Sequence, residues 1–470
     1  MCDAPKTNET SAAPVSWRRL ELEVERINFK GEGYGIAEDG ACYRVANALE
    51  GERVSAFEVT TFRRRVAYLD EVLLPSAESQ SPFCPHWRDC GACQFSRLLS
   101  ASQQKLKEAQ WLRLIRRFVP SVARATSCSA CRTLAYRHRA RARFSSGRFV
   151  MPVRLDARLM LERYDAAACP RHVETEIPLH DCRLHADCLN LWMKYLETVL
   201  SPCPDASRFE FDIEAFEDNA RLTIYALPEH LAAGRCLAHH VSCASPCANV
   251  PDFGVILQPI PGRGSHVYGP AECFGKRAWY GYGRNGRGER LEALKGAWTP
   301  VNPDNAMQIR DILRSCLAMP MAPVSRVLEL GCGCGTHTDI FDDLSASYHG
   351  IDASWPAIQS AQHNAQIFQW QDRTFQTSTA LHYLDKNYYR GARADLILMH
   401  SNRLPYSSEV VGWCRRFGAH TVLLVAPSAY ALAKECQDLV AAGYEIQKIV
   451  FCDTMPFTYH MMGVAMLQCR

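Results

Sequence analysis

The 470-residue sequence predicts an α/β protein: a doubly wound domain at the carboxyl-terminal end, preceded by a small β-barrel and a mixed central region with a cysteine cluster. Three observations predict this. From about Asn305 onward, apolar runs alternate with helical segments, the order that builds a largely parallel sheet covered on both faces. Between Trp17 and Pro75, strand-like segments and turn signals recur roughly every eight to twelve residues, as in a small barrel. Between these regions lie Cys84, Cys90 and Cys93 on a turn-rich stretch. The expected domains are 17–75, 76–295 and 296–470, a division suited to a chain too long for one ordinary core.

The barrel begins where Leu20, Leu22 and Val24 alternate with charged residues, the period of a half-buried strand. Gly31-Glu-Gly33-Tyr-Gly35 supplies turn chemistry and Asp39-Gly40 a hairpin signal. Val45 to Val59 and Arg65 to Leu74 read as further strands. A helix is expected from about Leu98 to Phe118, where Leu106, Trp111, Leu114 and Ile115 recur near helical spacing. The segment 130–295 mixes strands, turns and a few helices. The strands expected in the last domain are Arg326–Leu330, Tyr348–Asp352, Leu396–Met399, Val422–Val425 and Gly463–Gln468.

Composition sets limits. Apolar residues make up 47% and charged residues 22%, an ordinary globular balance. A net charge of +3 is too small to imply a nucleic-acid partner, so that case needs local clusters. Met1 to Ser16 contains no apolar core of a secretory signal, and no run of about 18 uncharged apolar residues occurs. A cytoplasmic monomer without a membrane span is the expectation. In that reducing setting, most of the 22 cysteines should be small buried residues or metal ligands rather than disulfides.

Three motifs carry chemistry. In Val327-Leu-Glu-Leu-Gly331-Cys-Gly333-Cys-Gly335-Thr336, an apolar strand runs into a glycine turn that lets a nucleotide-like ligand approach the backbone. About twenty residues on, a second strand ends in Asp352, suited to ribose hydroxyls. A dinucleotide fingerprint would need glycine where Thr336 stands. Next, the C-x5-C-x2-C run Cys84, Cys90 and Cys93 can converge on zinc or a [4Fe–4S] cluster if a fourth ligand joins. Finally, Arg137, Arg139, Arg141 and Arg143 would share one face of a strand and could track a phosphate backbone, with Tyr136 or Phe144 stacking on bases. Arg63, Arg64 and Arg65 would add a second basic cluster on the barrel.

These signals, in this order, resemble the RNA 5-methyluridine methyltransferase family across nearly the whole chain. "GEGYGIAEDG" and "ALEGERV" resemble its TRAM domain, an RNA-binding barrel. The glycine turn resembles the first motif of class I methyltransferases, which bind S-adenosylmethionine. "YRHRARAR" resembles the family's "YRNRAR" strand, and "WTPVN" opens the matching carboxyl-terminal domain. The resemblance implies S-adenosylmethionine held by Gly331, Gly333, Gly335, Thr336, Asp352 and His400, with rRNA or tRNA as partner. It also implies a [4Fe–4S] cluster on Cys84, Cys90 and Cys93, with Cys182 as fourth ligand and Cys169 as its competitor.

The departures concern catalysis. The family uses a cysteine that adds to uracil C6 and a glutamate that removes the C5 proton. The matching positions here are Pro427 and Met462, neither of which can do this chemistry. His400-Ser401 replaces the family's Asp-Pro, and Pro300 replaces a glutamine. Cys414, Cys436 and Cys452 are candidates for a relocated nucleophile. Two readings follow: an enzyme methylating RNA at a different atom, with His400 as a base, or a non-catalytic RNA-binding scaffold. A redox metal protein is a third.

Overall fold

The alternation of Leu20, Leu22 and Val24 with charged residues puts these three side chains inside a closed barrel. The computed structural model describes residues 18–61, 64–164, 173–244, 252–261, 271–274, 279–344, 346–401 and 403–469. Strand Arg19–Ile27 pairs antiparallel with Glu32–Ala37 and Arg53–Glu58, and the strands Cys42–Ala46 and Val66–Leu74 complete the closure. The continuous strand expected over Val45 to Val59 is two strands. Asn47 (φ 59°) and Gly51 (φ 81°) take left-handed backbone between them and turn the chain. Gly31 also has positive φ, and a Cβ there would stand 2.6 Å from Gln94 Cβ, so glycine is required.

The described residues fall into two compact units, one within Met1–Leu99 and Pro152–Ile177, the other within Ser100–Met151 and Pro178–Arg470. In the second unit, a central sheet runs in the order Glu272–Phe274, Asp252–Pro259, Asn219–Ala226, Glu210–Phe216, Arg139–Ser145 and Arg148–Pro152. Helices Asp187–Leu200 and Leu231–Cys243 share its apolar core, which includes Phe211, Ile213, Leu222 and Trp192.

The carboxyl-terminal sheet has eight strands in the order Arg373–Thr377, Ser347–Asp352, Arg326–Leu330, Leu396–His400, Thr421–Ala426, Met462–Cys469, Tyr444–Cys452 and Thr126–Cys128. Its first five strands are parallel, and Met462–Cys469 is antiparallel to both of its neighbours. The period of two in the apolar strands sorts their side chains onto two cores. Leu328, Ile397, Val422 and Leu424 enter one, while Val327, Leu396, Leu423 and Val425 enter the other. Strand order reverses beside Arg326–Leu330, the switch point at which open α/β sheets place ligands.

Helix Ser100–Phe118 shares the first of these cores through Trp111 and Ile115, and the Trp111 ring meets Phe451 edge-on at 5.6 Å. Its Lys107, 1% exposed, pairs with Asp453 at 2.8 Å. No helix among the described residues is long and apolar enough to cross a membrane.

Candidate active site

The strand Arg326–Leu330 ends in Gly331, Gly333 and Gly335, with φ of 78°, 55° and 77°. A Cβ at Gly331 would lie 3.0 Å from the His400 carbonyl oxygen, whereas one at Gly333 would meet nothing within 4 Å. The turn thus closes tightly on the protein side at Gly331 and leaves open space beside Gly333. Asp352 fixes it from the neighbouring strand. Its carboxylate accepts hydrogen bonds from the Gly333 amide at 3.0 Å and the Ser354 amide at 2.8 Å. Ser354 in turn caps the helix Trp355–Ile367.

These residues line a cavity of about 620 Å³, the size of a small-molecule site. Gly331, Gly333, Thr336, Asp352 and His400 all reach it, together with Ser378 and Thr379. Gly335, between the lining residues Cys334 and Thr336, is not on the lining itself, and a Cβ there would stand 3.3 Å from the Thr338 hydroxyl. The Thr336 hydroxyl hydrogen-bonds the Tyr282 hydroxyl at 3.0 Å. A glycine turn, a strand-end carboxylate and a concave apolar wall suit an adenosyl ligand, so the residues present fit S-adenosylmethionine.

The same lining includes Pro300, Asn302, Pro427, His460 and Met462. The Asn302 side chain donates to the Thr454 carbonyl at 3.0 Å and anchors that part of it. Burial, with the charges of Arg403, Arg137 and Lys107, pulls His460 down to about 4, so its ring is neutral at pH 7. Pro427 and Met462 therefore stand at the cavity without supplying a nucleophile or a base. The relocated-nucleophile candidates do not reach it either. Cys414, Cys436 and Cys452 are buried away from the cavity lining. Burial pushes the Cys414 thiol up to about 12. The thiols that do reach the cavity, Cys332 and Cys334, are raised by burial as well, Cys334 to about 12.

Sequence reasoning missed the polar floor. His400 Nε2 lies 2.7 Å from the buried Glu329 carboxylate, whose other oxygen accepts from the Tyr348 hydroxyl at 2.6 Å. The His337 ring stacks on His400 at 5.2 Å. Burial and then the neighbouring His400 drive His337 well below its ordinary value. Trp298, 68% exposed, is also on the cavity lining. The glutamate was visible in the glycine motif, but nothing in the sequence joined it to a histidine 71 positions away.

The arginine row is different from its expectation. The regular strand is Arg139–Ser145, and Arg137 lies before it in a bridge to His185. Arg139, Arg141 and Arg143 share a face, but the facing strand presents Glu214, Asp212 and Glu210 in register. Asp212 bonds Arg139 at 2.6 Å and Arg141 at 3.3 Å, and Glu210 bonds Arg143 at 3.3 Å. The row is thus largely charge-compensated. Tyr136 and Phe144 are buried, 2% and 5% exposed, and cannot stack on bases. The Tyr136 hydroxyl instead donates to the Pro456 carbonyl at 2.9 Å. On the barrel, Arg64 and Arg65 are exposed, and Arg63 lies outside the described residues.

Cys84, Cys90 and Cys93 are half-buried on their turn segment. Among the described residues, no three Cys, His, Asp or Glu side chains form a group able to hold a metal ion. Cys182 belongs to the other compact unit, and Cys169 lies outside the described residues.

Comparison with known proteins matches residues 323–444 to a family model described as a methyltransferase domain. The chain is 23% identical over 465 residues to the 23S rRNA (uracil(1939)-C(5))-methyltransferase RlmD of Vibrio cholerae, covering 98% of each chain. It is 24% identical over 456 residues to the enzyme of the same name from Tolumonas auensis, covering 96% of each. The fold is that of the Pyrococcus abyssi tRNA (uracil-54, C5)-methyltransferase, solved with S-adenosyl-L-homocysteine. That likeness has a TM-score of 0.66 at 14% identity, over 95% of this chain and 100% of that one.

Proposed function

The chain belongs to the RNA 5-methyluridine methyltransferase family, and from that premise we propose that it methylates RNA by a route needing no cysteine adduct. The observation that carries the proposal is one cavity lined by two unlike sets of residues. The glycine turn, Thr336 and Asp352 suit S-adenosylmethionine, which supplies an electrophilic methyl group. Pro427 and Met462, which the family resemblance matches to its thiolate and carboxylate, line the same cavity.

Without those groups, the ring carbon of uracil cannot be activated by covalent addition. A base or ribose heteroatom needs no such activation, only positioning and removal of its proton. His400 is the candidate base, held beside Glu329 at the end of its strand. RNA would approach through Arg141 and Arg143 and the barrel arginines, with Arg137 and the Asp212-bound Arg139 as structural anchors of that strand. The RlmD relatives favour rRNA over tRNA as the substrate, and the proposed form is a cytoplasmic monomer. The functional parts of this reading are 17–75 for RNA, 76–295 for the central region and 296–470 for the cofactor.

The test is transfer of labelled methyl from S-adenosylmethionine to ribosomal and bulk RNA, followed by nucleoside identification. Label in a modified nucleoside other than 5-methyluridine supports the proposal. Tight cofactor binding with no label in any RNA would favour the scaffold reading.

The [4Fe–4S] assignment rests on the C-x5-C-x2-C spacing and the family resemblance, with Cys182 or Cys169 as fourth ligand, and no chemical step is routed through it. Anaerobic purification should give about four irons per chain if it is right. Stoichiometric zinc, or no metal, would refute it.

A further inference from the structure

We propose that Cys128 and Cys452 form a redox-modification site, closing an intrachain disulfide that ties the outermost strand of the carboxyl-terminal sheet to its neighbour. Thr126–Cys128 pairs in parallel with Tyr444–Cys452, and the register sets Cys128 directly opposite Cys452. Neighbouring strands lie about 4.7–4.9 Å apart. That separation falls within the roughly 4.4–6.8 Å between Cα atoms that a disulfide spans.

Both sulfurs face the same seam. Cys128 Sγ donates to the Phe451 carbonyl at 3.6 Å, and Cys452 Sγ donates to Gln308 Oε1 at 3.3 Å. The Gln308 amide nitrogen then donates to the Ser129 carbonyl at 2.7 Å, tying the two thiols' surroundings together. Their interaction is unequal. Contact with Cys452 lowers the Cys128 thiol, while Cys452 is raised by the same contact and then by burial. Cys128 is half-buried at the sheet edge, whereas Cys452 is fully buried. The accessible thiol thus meets the oxidant first, which fixes the order of events.

The oxidant is a low-molecular-weight disulfide. The Cys128 thiolate attacks one of its sulfurs, the S–S bond breaks, and one thiolate leaves. Cys452 then attacks the Cys128 sulfur, the second small thiol departs, and the Cys452 proton passes to it. Two protein thiols are oxidised and one small disulfide is reduced to two thiols. The product borders the cofactor cavity, because Thr454 and Met455, two and three residues after Cys452, line it. Cys131 completes a C-x2-C pair with Cys128 and is the competing partner. Burial and the nearby Asp304 raise its thiol, which disfavours it as a nucleophile.

The bridge is read by mass, so it is tested independently of the function proposed above, on which its coupling to the cavity rests. The full chain is treated with oxidised glutathione, alkylated, digested without reductant and mapped. The expected product joins the Cys128 peptide to the Cys452 peptide and disappears with dithiothreitol. Cys131→Ser should keep it, and Cys128→Ser should abolish it. In the wild type, oxidation should change affinity for S-adenosylhomocysteine at least threefold, reversibly, and leave Cys128→Ser unaffected. A Cys128–Cys131 bridge, or a stable glutathione adduct on Cys128, would overturn the proposal. A bridge formed with unchanged affinity would overturn its coupling to the cavity.

Discussion

Replacing Asp352 by alanine tests the cofactor assignment at its most constrained point. The carboxylate already holds the Gly333 and Ser354 amides at 3.0 and 2.8 Å, and it lies on the cavity wall where a ribose would add another bond. A hydrogen bond to a charged group contributes about 1.5–3 kcal/mol, and half-exposure trims that figure. The ligand should therefore lose about 1–3 kcal/mol of binding, or roughly 5- to 150-fold in Kd. Asp352→Asn keeps an acceptor oxygen and should fall at the low end of that range. Gly333→Val acts differently, by placing a branched side chain at φ 55° and into the open side of the turn. It should abolish binding. Calorimetry with S-adenosylhomocysteine measures all three, with thermal melting as the control for folding. Affinities within twofold of wild type in Asp352→Ala and Gly333→Val, with native melting, would refute the assignment.

RNA containing 5-fluorouracil should form no denaturation-resistant complex with the chain on a gel, because no thiolate lies at the cavity. A covalent band mapped to any cysteine would contradict this. Glu435 is 0% exposed, and burial raises its carboxyl to about 7 although Ser401 and the Tyr406 amide bond it. The folded state then holds the proton more tightly than the unfolded state, so stability should fall by about 3 kcal/mol as pH rises from roughly 4.5 to 7. His460, lowered to about 4, works in the opposite sense, since stability rises from pH 4 to about 6.5 as its unfolded-state proton is lost. Denaturant titrations of Glu435→Gln and His460→Gln against wild type should separate the two slopes, and parallel curves would refute both. Arg141→Ala with Arg143→Ala should lower the salt dependence of RNA binding by one to two phosphates' worth, at about 0.7 per contact on single strands. An unchanged slope would place the phosphate contacts elsewhere.

Period-two patterning was enough to read the barrel strand from Leu20 to Val24, and apolar runs between helical segments were enough to read the buried strands of the last domain. The glycine turn and Asp352 were legible because a tight turn beside a ligand leaves few alternatives to glycine and carboxylate at that spacing. Pairings between distant segments were not legible. Nothing in "RARAR" announces that Asp212 and Glu210 will stand opposite it, because strand register is set by the whole sheet. The same holds for Tyr136 and Phe144, whose aromatic rings fit a stacking role as well as a core role until burial decides between them. His337 and His400 meet because the helical turn after the glycine loop packs beside the end of strand Leu396–His400, a consequence of topology rather than of local sequence. The break at Asn47 was missed because a left-handed asparagine carries a weaker signal than a glycine does.

The placement of Ser100–Phe118 and Thr126–Cys128 has a consequence for how this chain can be divided and assembled. Both segments precede the central sheet in sequence, yet one packs on the carboxyl-terminal sheet and the other extends it. A Cβ on Gly463 would stand 2.9 Å from the Trp111 ring, so helix and strand are fitted to each other across some 350 positions. The central sheet is therefore topologically nested inside the methyltransferase unit rather than strung before it. A fragment beginning at residue 296 would strip the Trp111 ring from Phe451 and Gly463 and leave strand Tyr444–Cys452 as an open edge prone to self-association. On the ribosome, the helix emerges long before its sheet and must wait, solvated or chaperoned, until the last strand has been made.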